Sequence, residues 1–374
     1  MFGSQLNSQP TGIGVLDISF HDDVHHYPDS TLWLVTQEPV LNEFVCYLKD
    51  KKNRFLREGL GGQELVVSRS QLDDVRRAYN RMICKGEEKL HRLCGLLCDN
   101  LLAADVQMKS VVIAQLPGTQ QRLKLIQDIQ KSEVYGRTDL DLGNWLLEKL
   151  RYAGPLGWER PKLIANFVEY QPLCRNPFGI NKMISRIKAE EQIWSKVVDE
   201  IFELDKLVNQ DKKLRELSYF IKDIFGIKIV VDDLECIHAV LNAMESVSWN
   251  SETLALHGVA HEPATQRLQR IEVKNHVGET QQKQSGWQAI KAVYSWWNKT
   301  FEIQVQTLDV YLREQELLTS ESHAAFKEKR ERVRQEVADR LPLFGFYLQL
   351  LRWLFISPDA TPPELEGIRI LMRD

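Results

Sequence analysis

The chain has 374 residues, a formal net charge of −4, 43% hydrophobic and 27% charged residues. That balance excludes collagen-like and wholly disordered chains, and the length suits two domains. An acidic net charge also excludes a generally basic nucleic-acid coat, leaving only a local basic groove open. The most apolar stretch, residues 343–356, contains Gln349 and Arg352 and falls short of the roughly 20 residues of a spanning helix. The first ten residues are polar and lack a basic-then-apolar leader pattern, so the expected compartment is the cytoplasm.

In chain order, the first third reads as mainly helical. His21-Asp-Asp-Val-His-His26 gathers imidazoles and carboxylates, but its loop-type neighbours make it a solvated segment. Residues 31–36 are apolar and β-prone. Ser70 and Asp73 have the spacing of a capping-box variant. From there, apolar residues at Leu72, Val75, Tyr79, Ile83, Leu90, Leu97 and Leu101 predict a long helix to about residue 104, with Gly86 as a point of interruption. His91, Cys94 and Cys98 share one face of it. Soft-metal binding and an apolar core role are both open to them, and flanking leucines favour the core. The six cysteines show no paired CxxC spacing, so neither a disulfide framework nor a zinc ribbon is indicated. After Pro117-Gly118, helices are predicted over 120–130 and 142–150.

Two Pro/Gly-rich stretches, 153–161 and 171–179, set the expected domain boundary. The division is a mainly α-helical N-terminal domain over 1–170, a sheet domain over 175–340, and a C-terminal helix and tail over 341–374. Beyond the boundary the pattern predicts a helix over 182–207, a strand over 225–231, and a helix from Asp233, which can cap it. Strands over 286–297 and 300–307 follow, then a charged amphipathic helix over 311–341. The alternation makes this half α+β with a mixed β-sheet flanked by helices.

Four segments of that half carry chemistry. On the predicted helix, Lys188, Gln192 and Lys196 recur every four residues as a basic-polar stripe, with Ile187, Trp194, Val197 and Ile201 turned inward. Such cations suit a polyphosphate, and the guanidinium of Arg186 can also stack on a base; a solvated helix face has the same pattern. In Lys222-Asp-Ile-Phe-Gly-Ile-Lys-Ile-Val-Val231, Asp223 stands at the entrance of an apolar strand. There it is either a metal carboxylate or a turn residue, and the glycine permits close approach. In Phe301-Glu-Ile-Gln-Val-Gln-Thr307, alternation puts Glu302, Gln304 and Gln306 on one face, as the floor of a polar metal-binding cleft or as a sheet edge. Lys274-Asn-His-Val277 and Ser285-Gly-Trp-Gln-Ala-Ile290 offer Trp287 and Gln288 as a stacking plane beside an amide, unless Trp287 is core.

The order of these segments, followed by Glu321-Ser-His323 on a late helix, resembles the synthetase domain of the RelA/SpoT family of alarmone ((p)ppGpp) synthetases over roughly residues 180–335. The resemblance implies a nucleotidyltransferase-like fold and transfer of pyrophosphate from ATP to the 3′-hydroxyl of GDP or GTP. Asp223 and Glu302 would then hold Mg²⁺ and serve as the catalytic pair. Arg186, Lys188 and Lys196 would hold ATP, while Lys274, Trp287, Gln288, Gln304 and His323 would complete the nucleotide sites.

The acceptor side departs from the family pattern. Trp287 replaces the guanine-stacking tyrosine, Ala289 and Lys291 replace a serine and a histidine, and Gln306 replaces an arginine. Asn275 and His276 replace an aspartate and a tyrosine. Two alternatives follow: a toxin-type relative that modifies the 3′ end of tRNA or an adenine nucleotide, using Lys327, Lys329, Arg330, Arg332 and Arg334, and a catalytically silent nucleotide- or partner-binding module. Residues 1–170 lack the family's H…HD hydrolase pattern, and their expected role is regulation, homo-oligomerisation or partner docking.

Overall fold

In the computed structural model, residues 38–102, 105–116, 121–154, 157–203, 224–277, 288–319 and 334–374 are described. Helix α1 (Pro39–Glu58) leads to strand β1 (Gln63–Ser68) and then to α2 (Arg69–Leu97), which ends in a π-turn over Cys98–Leu102. The cap of α2 is Ser68, whose hydroxyl accepts from the amide of Gln71 at 3.4 Å, two residues ahead of the cap expected at Ser70. Strands β2 (Val106–Gln115) and β3 (Arg122–Ile129) form a hairpin, so the helix expected over 120–130 is a strand. Short helices α3 (Lys131–Gly136) and α4 (Asp139–Glu148) come next, then a small hairpin β4 (Tyr152–Gly154) and β5 (Gly157–Glu159).

The helix expected over 182–207 is divided. Strands β6 (Lys162–Pro172) and β7 (Ile180–Ile187) are antiparallel partners, and only then does α5 (Glu190–Ile201) begin. In β7 the short run of apolar residues fits either period, and pairing with two neighbouring strands decides for extended backbone. Strand β8 (Phe225–Val231) and helix α6 (Leu234–Ser246) stand as expected, with Asp233 capping through the amide of Cys236 at 2.9 Å. Helix α7 (Ser251–Leu256), strands β9 (Gln269–Asn275), β10 (Ile290–Trp296) and β11 (Lys299–Thr307), helix α8 (Leu308–Thr319), helix α9 (Pro342–Phe355) and strand β12 (Ile368–Arg373) complete the described elements. The segments 21–26 and 31–36 lie outside the described residues.

Eight strands form one mixed sheet in the order β3-β2-β6-β7-β8-β11-β10-β9, in which β8 and β11 run parallel. The protein is thus α+β with a mixed sheet. Residues 173–179, where a domain boundary was expected, connect two hydrogen-bonded strands of that sheet. One hydrophobic core extends from Leu41 to Leu354 and includes residues from both sides of the expected boundary. At its heart Trp194 is sandwiched between Tyr79 and Phe355, with ring centroids 5.2 and 4.0 Å away. A separate parallel pair, β1 with β12, ties the first strand to the end of the chain. Among the described residues, no helix is long and apolar enough to cross a membrane.

Helix α2 runs unbroken through Gly86, where a side chain has no space: a Cβ would sit 1.9 Å from Cζ of Phe225. The glycine is a packing requirement, not a helix break. At the far end of the sheet, β10 and β11 meet in a two-residue turn, with Trp297 and Asn298 both at positive φ (47° and 58°). This is the turn geometry that matches strand twist. Lys89 of α2 holds it, donating to the carbonyl of Trp297 at 2.8 Å with its ammonium 4.9 Å from the indole centroid.

Two predictions arise from this packing. Gly86→Ala gains about 1 kcal/mol of helix propensity but overpacks against Phe225, and the expected net is a loss of at least about 1 kcal/mol in urea unfolding. Burial, reinforced by Lys89, brings the Lys299 ammonium down to about 8 from its usual 10.5. Between those two values the unfolded chain binds more protons, so this residue makes stability rise as pH rises from 8 to 10.5. Lys299→Met removes that alkaline rise, as read from unfolding midpoints across the range.

Candidate functional site

Strand alternation divides the central sheet into an apolar and a polar face. Phe225, Ile227, Ile229 and Val231 of β8 join Phe301, Ile303 and Val305 of β11 in the core under the helices. The opposite face carries Gly226 and Lys228 on β8, Glu302, Gln304 and Gln306 on β11, and Lys291 on β10. Because β11 lies between β8 and β10, its polar row is interior to the sheet: Gln306 is 0% exposed. The edge-strand alternative for this segment is thereby excluded.

Register places the groups. Gly226 lies beside Glu302 on one side and Arg186 on the other, so the missing side chain lets Arg186 reach across β8. The guanidinium of Arg186 is 3.7 Å from the Glu302 carboxylate, and the Lys291 ammonium is 3.3 Å from the same oxygen. One strand further out, Lys274 stands opposite Lys291 and pairs with Glu272 at 3.2 Å. Toward the other end of β11, Lys228 and Gln306 both donate to Glu314 of α8, at 2.6 and 2.8 Å, and Gln304 donates to Gln306. Lys182 of β7 pairs with Glu169 of β6 at 3.3 Å, its ammonium 5.3 Å from the Tyr311 ring. Burial pulls the Lys228 ammonium below its usual range, with Glu314 opposing and Arg186 and Lys291 adding to the fall. Burial likewise lowers Lys274, against the pull of Glu272 and Glu302.

Chemically, five cations (Lys182, Arg186, Lys228, Lys274, Lys291) alternate with four carboxylates (Glu169, Glu272, Glu302, Glu314) on this face. Such a surface can receive a polyanion by exchanging carboxylate partners for phosphate oxygens. The glutamate side of each exchange is then free to hold a cation.

The basic stripe expected on a helix does not form. Arg186 is in strand β7, and Lys188 lies in the connection, where its amide donates to the carbonyl of Ile224 at 2.8 Å. Lys196 is buried on α5, a helix packed against α1 and α9. Lys188 precedes the Ala189 cap of α5 and Lys196 is turned into the protein, so the period of four through Gln192 presents no basic face. Trp194, Val197 and Ile201 do face the core as expected. Gln288 is half-buried just ahead of β10. Asp223, Trp287 and His323 lie outside the described residues, as do Lys327, Lys329, Arg330 and Arg332. Arg334 is committed to Asp199 through a 2.9 Å ion pair. Sequence reasoning assigned no role to Lys228, Glu272 or Glu314 and counted Lys291 as a departure. Alternation from Gly226 to Lys228 was the available signal for the first; only pairing register reveals the others.

No family model matches the chain, and no curated protein does. Among solved structures it is similar to the small alarmone synthetase 1 from Bacillus subtilis bound to its product pppGpp, at 14% identity and a TM-score of 0.23, over 42% of this chain and 80% of that one. Small alarmone synthetase 2 from Bacillus subtilis is similar at 17% identity and a TM-score of 0.24, over 49% of this chain and 83% of that one. Similarity at that level leaves the assignment of residues to the geometry of the sheet.

One consequence concerns the Lys228–Glu314 pair. Glu314→Gln strands a half-buried ammonium and is expected to cost about 1–3 kcal/mol in urea unfolding. Lys228→Met in the same chain should recover most of that loss.

Proposed function

We propose that the polar face of the sheet is the active site of a pyrophosphokinase, which transfers the β,γ-pyrophosphate of ATP to the 3′-hydroxyl of GDP or GTP and releases AMP. The observation that carries this reading is the convergence of Arg186, Lys274, Lys291, Glu302 and Gln304 on one face of the five adjacent strands β7, β8, β11, β10 and β9. Four of these five are residues that the RelA/SpoT resemblance nominates, and they are drawn from segments separated by up to 118 positions, the distance from 186 to 304.

Glu302 is an oxygen donor, partly open with its side chain 13% exposed, and Asp223 precedes by two positions Phe225, the β8 residue paired with Phe301. A Mg²⁺ ion asks for one or two carboxylates plus substrate phosphates, and these two residues would hold it. When bound, the ion would neutralise charge that develops on the transferred phosphoryl group. Arg186 and Lys291 would turn from Glu302 to phosphate oxygens and align the donor. Lys274 would meet the acceptor's phosphates, while Trp287 and Gln288 would stack and read its base. The nucleotidyltransferase-like fold and the Mg²⁺ requirement belong to this proposal, as does the division of labour between an N-terminal regulatory region and the synthetase region.

A second reading is favoured by the two ion pairs on Glu302: a module that binds a nucleotide and keeps its carboxylate neutralised, without turnover. Purified protein with Mg²⁺ and γ-labelled ATP, supplied in parallel with GDP, GTP, ATP or deacylated tRNA, separates the possibilities. Label on GDP or GTP is expected, with Glu302→Gln and Asp223→Asn abolishing transfer while leaving the fold intact. Label on tRNA or an adenine nucleotide alone moves the acceptor, and label nowhere supports the binding module.

A further inference from the structure

On the other side of the sheet, beneath α2, a second polar group is sealed into the core. Glu87 and His91 are one turn apart on α2, Asp139 opens α4, and Tyr170 comes from β6. Glu87, His91 and Asp139 are only 4%, 1% and 4% exposed. Nε2 of His91 lies 3.0 Å from Oδ1 of Asp139 and 4.0 Å from Oε1 of Glu87. One potential ligand atom from each of the three residues falls within 4.8 Å of the others. The amide of Asp139 donates to Glu87, and Asn166 of β6 donates to the carbonyl of Asp139, so the start of α4 is tied to both α2 and β6.

Two features go beyond an ordinary buried hydrogen-bond network. Oδ2 of Asp139 is buried with no hydrogen-bond partner, although buried carboxylate oxygens are costly to leave unmatched. His91 has its other nitrogen, Nδ1, 2.9 Å from the Tyr170 hydroxyl. That outer partner is the kind that fixes a metal-binding imidazole in the tautomer with Nε2 free to coordinate. Around a tetrahedral ion with bonds of about 2.0–2.1 Å, donors sit about 3.3 Å apart, between the two separations seen from Nε2.

We propose that Glu87, His91 and Asp139 form a site for one divalent transition ion of the Zn²⁺ or Mn²⁺ class, clamped between α2, α4 and β6. One imidazole with two carboxylates suits such ions better than Ca²⁺, which takes oxygen donors alone, or thiophilic Cu(I). Asp139 chelates through both of its oxygens, which together occupy one corner of a distorted coordination sphere. Cys94 and Cys98 remain apolar core residues, so the soft-metal grouping open to His91 in the sequence is replaced by one with hard oxygen partners. Because α2 also packs on β8, β7 and β11, the ion fixes the helix that backs the polar face.

The test uses the full chain, purified without nucleotide, incubated with Zn²⁺ or Mn²⁺, desalted by gel filtration and assayed for metal by elemental analysis. Wild-type protein and Glu302→Gln are expected to retain about one equivalent, while Glu87→Gln and Asp139→Asn retain less than about a tenth. Tyr170→Phe should keep the site but weaken affinity about tenfold or more. If the ligand variants fail to fold, Co²⁺ bound to the wild-type chain decides: visible absorption of a four-coordinate nitrogen/oxygen set supports the site, and its absence overturns it. Equal metal retention by wild-type protein and both ligand variants, or none by wild-type protein, also overturns it.

Discussion

The parallel pairing of β8 with β11 sets everything else in this protein. Residues 225–231 stand opposite 301–307 without a slip, so the apolar members of both strands face the helices and the polar members share the other surface. A slip of one position in either strand would turn that strand's polar members under α2 and its apolar members outward. The register is protected from the helix side, where Phe225 occupies the space left by Gly86. It is exploited from the polar side, where Gly226 lets Arg186 approach Glu302 across an intervening strand.

This arrangement produces two electrostatic environments on one sheet. On the polar face, carboxylates and cations pair in a half-open network, and each ion pair is a reversible contact that a phosphate or a metal could displace. Under α2, by contrast, carboxylates and an imidazole are closed off from water, and the only solution available to them is mutual hydrogen bonding or an ion. The first environment suits exchange. The second suits permanence.

The helices before residue 102 belong to the same core as the strands that carry the site. Lys89 of α2 reaches the β10–β11 turn, and Lys52 of α1 donates to the carbonyl of Ile201 at 3.0 Å. These helices are thus tied by direct contacts to the β10–β11 turn and to the end of α5.

Several features were legible in the amino-acid sequence alone: the apolar run of β8, the period-two alternation that separates Glu302, Gln304 and Gln306 from Phe301, Ile303 and Val305, the Asp233 cap, and the inward side of α5. Each depends on contacts within a few residues, and local chemistry is what a sequence displays. Other features depended on partners distant in the chain. Strand β3 and strand β7 carry ambiguous patterns that pairing alone resolves; with Arg186 in β7, Lys188 in the connection and Lys196 buried on α5, the Lys188–Gln192–Lys196 stripe forms no basic helix face. Lys291, read from its position as a lost histidine, became a cation beside Glu302 because β10 lies next to β11. His91 was read among cysteines, and only the docking of α4 brought it Asp139. The sequence by itself determined which residues are apolar, charged and alternating; the tertiary structure decided which charges meet, because strand order and register are set by burial summed over the whole sheet.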